Sequence, residues 1–178
     1  FTNHAEVVRA RALSRINHVL HTFHTLDLKQ YIFIFNCYIR PLLEYAVTVF
    51  SPVPNSETSK RLEYPQRLYT KTVMRRCGMS FKCYRDRLTA CCIEPLFVRR
   101  ARFDLLYTYR CLYGVYDVDY SALLRWQSDP QAPLVTSRAS RLRLVVPRVS
   151  LFHHTTFFFP RTISLWNSLV GRPPTDRK

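Results

Sequence analysis

Apolar residues recur at spacings of three and four through most of the chain up to Tyr113, and that period admits little besides packed helices. Ala5, Val8, Ala12, Ile16, Val19 and Phe23 line one side of a first helix, which Thr2 or Asn3 can cap. His4, Arg11, Arg15 and His18 fall on an adjacent stripe, so one flank packs and the other carries positive charge. A second helix is expected after Thr25 or Asp27, through the run Tyr31-Ile32-Phe33-Ile34-Phe35. That run is apolar nearly all round and therefore expected to be deeply buried. Pro41 lacks the N–H that would bond four residues back and should break or kink this helix, with Leu42 to Phe50 as a short buried continuation. The prolines at 52 and 54 then make a turn. Ser56 or Asn55 caps a third helix that Pro65 should bend and Gly78 should stop. A short helix from Ser80 to about Cys91 and a longer one, Leu96 to Tyr113, complete the periodic part, the latter following Pro95 and ending at Gly114.

After Gly114 the period fades. Asp117, Asp119, Ser128, Asp129, Pro130 and Pro133 read as a linker. Leu142-Arg143-Leu144-Val145-Val146 has the content of a strand ended by Pro147, Phe157-Phe158-Phe159 is a second strand or a buried knob, and Arg161 to Leu169 is a short helix around Trp166. Tyr45, Phe159, Trp166 and Leu169 are assigned to packing. The expected chain is mainly α: a helical bundle over 1–78, a second helical pair over 79–114, a linker over 115–138, and a small C-terminal module over 139–178 with one or two short strands.

The 178 residues carry 27 Lys and Arg against 12 Asp and Glu, a net charge of +15, and 22 of those cations are arginine. Such a balance is foreign to an acidic or neutral housekeeping enzyme and points to a polyanion, which the guanidinium fork binds bidentately. With 47% hydrophobic residues the chain builds a core and is no disordered basic tail. No apolar run reaches the roughly 18 to 20 residues of a membrane span, so no membrane partner is expected. There is no charged-then-apolar leader, and a start at Phe1 reads as part of something longer. The six cysteines read as reduced, buried thiols.

Tests for chemistry come out negative. Asp117 and Asp119 are a close pair, but with no third acid nearby they read as turn residues rather than ligands of paired metals. Cys77, Cys83, Cys91 and Cys92 lack the paired spacing of a zinc site. Three glycines leave no room for a nucleophile elbow, a P-loop or a dinucleotide fingerprint. No catalytic residue, metal ligand or cofactor site is therefore expected in this chain. What remains is basic and aromatic: Arg75-Arg76, Arg85-x-Arg87, Arg99-Arg100-x-Arg102 and Arg138-x-x-Arg141-x-Arg143, interleaved with Tyr64, Tyr69, Tyr84, Tyr107 and Tyr109. Arginine on phosphates supplies affinity and aromatic faces stack on unpaired bases.

Four ordered segments carry a resemblance. Tyr38-Ile39-Arg40-Pro41-Leu42-Leu43-Glu44-Tyr45-Ala46, followed by Phe50-Ser51-Pro52, resembles a "Y-x-R-P-x-L-E-Y-A…W-S-P" stretch. Arg61-Leu62-Glu63 with Gln66-Arg67 and Thr70-Lys71 resembles "L-E-x-x-Q-R-x-x-T-K". Tyr84 to Leu88 resembles "Y-x-x-R-L", and Phe158-Phe159-Pro160-Arg161 with Trp166-Asn167-Ser168-Leu169 resembles "F-F-x-x-R…W-N-S-L". Together they are similar to the region downstream of the palm in non-LTR retrotransposon reverse transcriptases of the jockey-like and chicken-repeat-like clades. The resemblance implies that 1–78 is thumb-like and that the parent is an RNA-directed DNA polymerase using Mg2+ in a palm upstream of this chain. The implied partners are template RNA, the RNA–DNA hybrid, target DNA, and the palm and fingers of the same polyprotein. The implied place of action is the nucleus, or the cytoplasm as a ribonucleoprotein. On this reading Arg11, Arg15, Lys71, Arg75 and Arg76 grip the hybrid, while Arg138, Arg141, Arg143 and Arg161 contact template RNA or target DNA. The alternatives are a freestanding basic helical RNA-binding module and the remnant of an inactivated element.

Overall fold

The computed structural model describes residues 2–53, 56–80, 83–116, 119–121, 123–127, 142–146 and 157–170. It is mainly helical, with α1 over Thr2–Thr22, α2 over Leu28–Ile34, a π-helical segment over Phe35–Ile39, and α3 over Arg40–Leu43. Then follow α4 over Glu57–Arg76, α5 over Tyr84–Ala90, α6 over Leu96–Leu112 and α7 over Phe158–Val170. Two compact units result, Phe1–Val47 with Pro52–Arg100 and Thr48–Ser51 with Ala101–Lys178, the division falling within α6.

In the first unit α1 packs on α4 and on α3. The face of Ala5, Ala12, Ile16 and Val19 is buried as its spacing demands, whereas Phe23 lies beyond the helix end and is exposed. Asp27 opens α2 with a reciprocal cap: its carboxylate accepts from Gln30 N at 2.7 Å, and its own N–H donates to the Gln30 side chain at 3.0 Å.

The α2 region is not buried all round. Tyr31, Phe35, Ile39 and Leu43 are fully buried, but Phe33 and Tyr38 are exposed. A strict four-residue repeat drifts about 40° per step around a 3.6-residue helix. The wider π turn takes up that drift and keeps all four side chains on the core. It also accommodates Pro41. Arg40 N–H bonds back to Phe35 O, five residues away, and Pro41 then sits in the first turn of α3, where a missing donor costs little. Phe35 stacks on Tyr69 with ring centroids 5.1 Å apart, and the Tyr69 hydroxyl donates to Tyr31 O at 2.8 Å. Burial holds the Tyr69 phenol above its ordinary range, so it remains a donor.

Ser56 caps α4 by accepting from Ser59 N at 3.2 Å. The helix then runs continuously through Pro65, which is buried. Gly78, at φ +71, closes it, with Gly78 N bonding Arg75 O at 3.2 Å and Met79 N bonding Met74 O at 2.9 Å. The same closure ends α5, but there the left-handed position at φ +53 is held by Cys92.

In the second unit Cys111, Leu124, Leu144 and Ile163 form a core under Tyr107, Tyr116, Tyr120, Trp126, Phe159 and Trp166. The expected strand at Leu142 to Val146 is reduced to one antiparallel bridge between Leu144 and Trp126. Phe158 and Phe159 belong to α7, so no second strand forms there. The Asn167 side chain takes both backbone groups of Leu144, accepting from its N–H at 2.9 Å and donating to its carbonyl at 2.8 Å. A side-chain amide thus occupies the place of a neighbouring strand. Leu169, expected to pack, is exposed.

Candidate nucleic-acid interface

One stripe of α4 faces away from the core. Lys60, Tyr64, Arg67, Lys71 and Arg75 follow one another at steps of four, three, four and four residues, and all five are exposed. At 1.5 Å per residue the row is about 22 Å long. Among the described residues the Lys60, Lys71 and Arg75 head groups make no hydrogen bond or ion pair, and Arg67 lies over the Tyr84 ring at 4.5 Å. A helix that holds its apolar side on α1 and α5 must present this row to water. The outcome is a row of positive charge with a half-exposed aromatic in it.

The predicted residues separate on the structure. Lys71 and Arg75 stand on this stripe. Arg11 is exposed on another face, where it lines a groove between α1 and α3 together with Ser14, Arg15 and Leu42. Arg15 itself donates to Tyr38 O at 2.8 Å and lies over the Tyr38 ring at 4.5 Å, which ties α1 to the π segment. Arg76 donates to Phe23 O at 2.8 Å, just past the C-terminal end of α1, where a cation meets the negative end of the helix dipole. Arg161 makes a bidentate pair with Asp104, at 2.9 and 3.0 Å, and also donates to Thr48 O at 3.0 Å. Its guanidinium is thereby committed to the interior of the second unit. Arg143 is exposed beside the bridge, and Arg138 and Arg141 lie outside the described residues. The sequence reading does not assign Lys60 and Arg67 to the interface, although the spacing of the five-residue row carries the signal.

The residues behind the family resemblance form polar clamps. Glu63 is buried and accepts from the Tyr84 hydroxyl at 2.6 Å and from the first N–H of α6, that of Leu96, at 3.1 and 3.3 Å. Gln66 donates to the Tyr84 hydroxyl and to Glu94 O, both at 3.0 Å. Burial, with the Glu63 charge beside it, drives the Tyr84 phenol far above its ordinary range, so it keeps its proton and donates it to Glu63. A second clamp lies at the end of α3. Glu44 is paired with Arg99, whose guanidinium it holds further above its ordinary range, and Arg100 donates to Leu43 O. The Asp104–Arg161 pair and the Asn167 amide make the third and fourth, with the Trp166 indole donating to Leu142 O at 2.8 Å.

Tyr45 belongs to none of these clamps. It is 69% exposed, which corrects its assignment to packing. It forms one wall of a groove of about 490 Å³ with Asn3, His4, Val7, Val8, Arg11 and Leu42. Among the cysteines only Cys91 and Cys111 are buried, while Cys37, Cys83 and Cys92 are exposed, against the expectation that all would be interior. Among the described residues, no group of three or more His, Cys, Asp or Glu could hold a metal ion, and no helix is long and apolar enough to cross a membrane.

No family model matches the chain, and no solved structure matches it. An uncharacterized protein of Caenorhabditis elegans is 33% identical over 88 residues, which is 49% of this chain and 44% of that protein. The chain thus spans less than half the length of the curated relative it matches.

Proposed function

We propose that this chain holds nucleic acid by its backbone and carries out no chemistry of its own. The reading rests on one observation: Lys60, Arg67, Lys71 and Arg75 lie in an exposed row on one face of α4, in a chain of net charge +15. Successive cations about 6 to 10.5 Å apart along the helix suit a row of phosphates, and the contact is independent of sequence because phosphates carry no base information. The resemblance of four ordered segments supports a more specific setting. In it the chain is the thumb and tail of an RNA-directed DNA polymerase from a non-LTR retrotransposon, acting in the nucleus on template RNA, hybrid and target DNA. Within that setting the α4 row, rather than the full set of predicted arginines, carries the grip on the duplex. Arg15, Arg76 and Arg161 act as clamps.

The test is fluorescence anisotropy with labelled blunt duplexes, DNA and RNA–DNA hybrid, between about 50 and 200 mM salt. The variant Lys71→Gln/Arg75→Gln should lower the slope of log affinity against log salt by about 1.8 on B-DNA, about 0.9 for each phosphate that is no longer neutralised. Unchanged affinity and slope in that variant would remove α4 from the interface. Weakened binding in Arg143→Gln, a substitution at an exposed position, with the α4 variant unaffected would place the interface in the second unit.

A further inference from the structure

Tyr45 is an exposed aromatic on a segment that has every means of hiding it. Leu43 before it and Val47 after it are buried. The Leu43 carbonyl is held by Arg100, the Glu44 carboxylate by Arg99 with Arg40 at 3.8 Å, and Ala46 turns the chain through the left-handed region at φ +53. A non-glycine residue in that conformation persists only where its surroundings determine it. The loop is therefore fixed on both sides of Tyr45 and sets the ring outward by construction. The same groove is lined by Arg11, Asn3, His4 and the apolar side chains of Val7, Val8 and Leu42.

We infer that this groove takes one unpaired nucleotide, its base stacked on Tyr45 and its phosphate on Arg11. Charge decides the occupant: an exposed arginine with no partner among the described residues, in a strongly basic chain, beside a flat ring and an apolar floor, matches an anionic chain of aromatic bases. The inference rests on the proposed function and adds a single-strand site to the duplex-tracking row of α4. The two differ in what they read, since stacking requires an unpaired base and the α4 row does not.

The experiment compares a blunt duplex with the same duplex bearing a short single-stranded tail, for the full chain and for Tyr45→Ala, Tyr45→Trp and Arg11→Gln. The tailed duplex should bind the unaltered chain more tightly than the blunt one, by about 5- to 150-fold for one stacked base. Tyr45→Ala should abolish that preference and leave blunt-duplex affinity and its salt slope unchanged, Tyr45→Trp should keep it, and Arg11→Gln should reduce it. Circular dichroism on each variant checks that the helices are intact. Equal binding of blunt and tailed duplex, or a preference that survives Tyr45→Ala, overturns the stacking site while the α4 reading stands. No binding of either duplex at low salt overturns both. Sedimentation at assay concentrations that reveals a dimer, absent in Tyr45→Ala, assigns the groove to a second copy of this chain and also overturns it.

Discussion

Replacing Glu63 with Ala should be among the most damaging single substitutions in the first unit, although it removes neither a core side chain nor a charge from the surface. In the folded chain the Glu63 carboxylate accepts from the Tyr84 hydroxyl at 2.6 Å and from Leu96 N at 3.1 and 3.3 Å, at 6% exposure. Each donor left without an acceptor at a buried site costs about 1 to 3 kcal/mol. Loss of the anion at the start of α6 adds roughly 0.5 kcal/mol or more. The sum is about 2.5 to 6.5 kcal/mol. In urea, with a slope of about 2 kcal/mol per M, the midpoint should fall by about 1.2 to 3.2 M. The slope should not change, and circular dichroism and tyrosine fluorescence should agree. Tyr84→Phe, which removes one donor but leaves the carboxylate on Leu96 N, should cost about 1 kcal/mol. The double variant should cost less than the two single losses added together, because both break the same bond. A loss below about 1 kcal/mol for Glu63→Ala at constant slope would refute the argument that this buried carboxylate anchors α6.

Further outcomes follow from the same geometry. Asp104→Ala leaves the Arg161 guanidinium without its carboxylate and should cost about 3 to 5 kcal/mol in urea unfolding, most of it recovered in Asp104→Leu/Arg161→Met. Asn167→Ala should remove hydrogen-exchange protection at Leu144 N and cost about 2 kcal/mol for its two hydrogen bonds. Cys92→Gly should stabilise the chain by about 0.5 to 1 kcal/mol in thermal unfolding, since glycine takes the left-handed turn after α5 without a Cβ conflict. Burial pushes the Cys91 thiol up to about 11 from the ordinary 9.0, so the folded chain keeps this proton after the unfolded chain has lost it. That contribution is intact below pH 9 and is lost as pH rises toward 11, which urea midpoints at pH 8 and 10.5 should register. At pH 8 iodoacetamide should modify the exposed Cys37, Cys83 and Cys92 well before Cys91.

Several elements can be read directly from local chemistry. The apolar spacing of α1, the Ser56 cap of α4 and the stop at Gly78 depend on contacts within one or two turns. Others depart from the sequence pattern for identifiable reasons. The run from Tyr31 to Phe35 reads as buried all round because composition cannot show how a π turn selects every fourth residue. The segment at Leu142 keeps one bridge, with Arg143 O and Val145 N bonded to Gln127 N and Arg125 O, while Asn167, 23 positions from Leu144, takes the Leu144 backbone groups. Tyr45 reads as a core residue because aromatic content alone says nothing of a loop held just before Tyr45 by arginines more than fifty positions away and turned just after it by Ala46.

The sequence by itself determined that this chain is helical and basic, with only three glycines and with cysteines and aspartates that lack the spacing of the metal motifs tested. Those properties follow from periodicity, capping and counting, which act over short separations. Which cations face outward was decided only by the tertiary structure. Arg161 meets Asp104 across 57 positions and Arg76 meets Phe23 across 53, whereas Lys71 and Arg75 meet no acceptor among the described residues. An arginine is a clamp or a contact according to whether the fold brings an acceptor within about 3 Å of it. In this chain long-range packing supplied acceptors to Arg15, Arg76 and Arg161 and left the outer row of α4 in water.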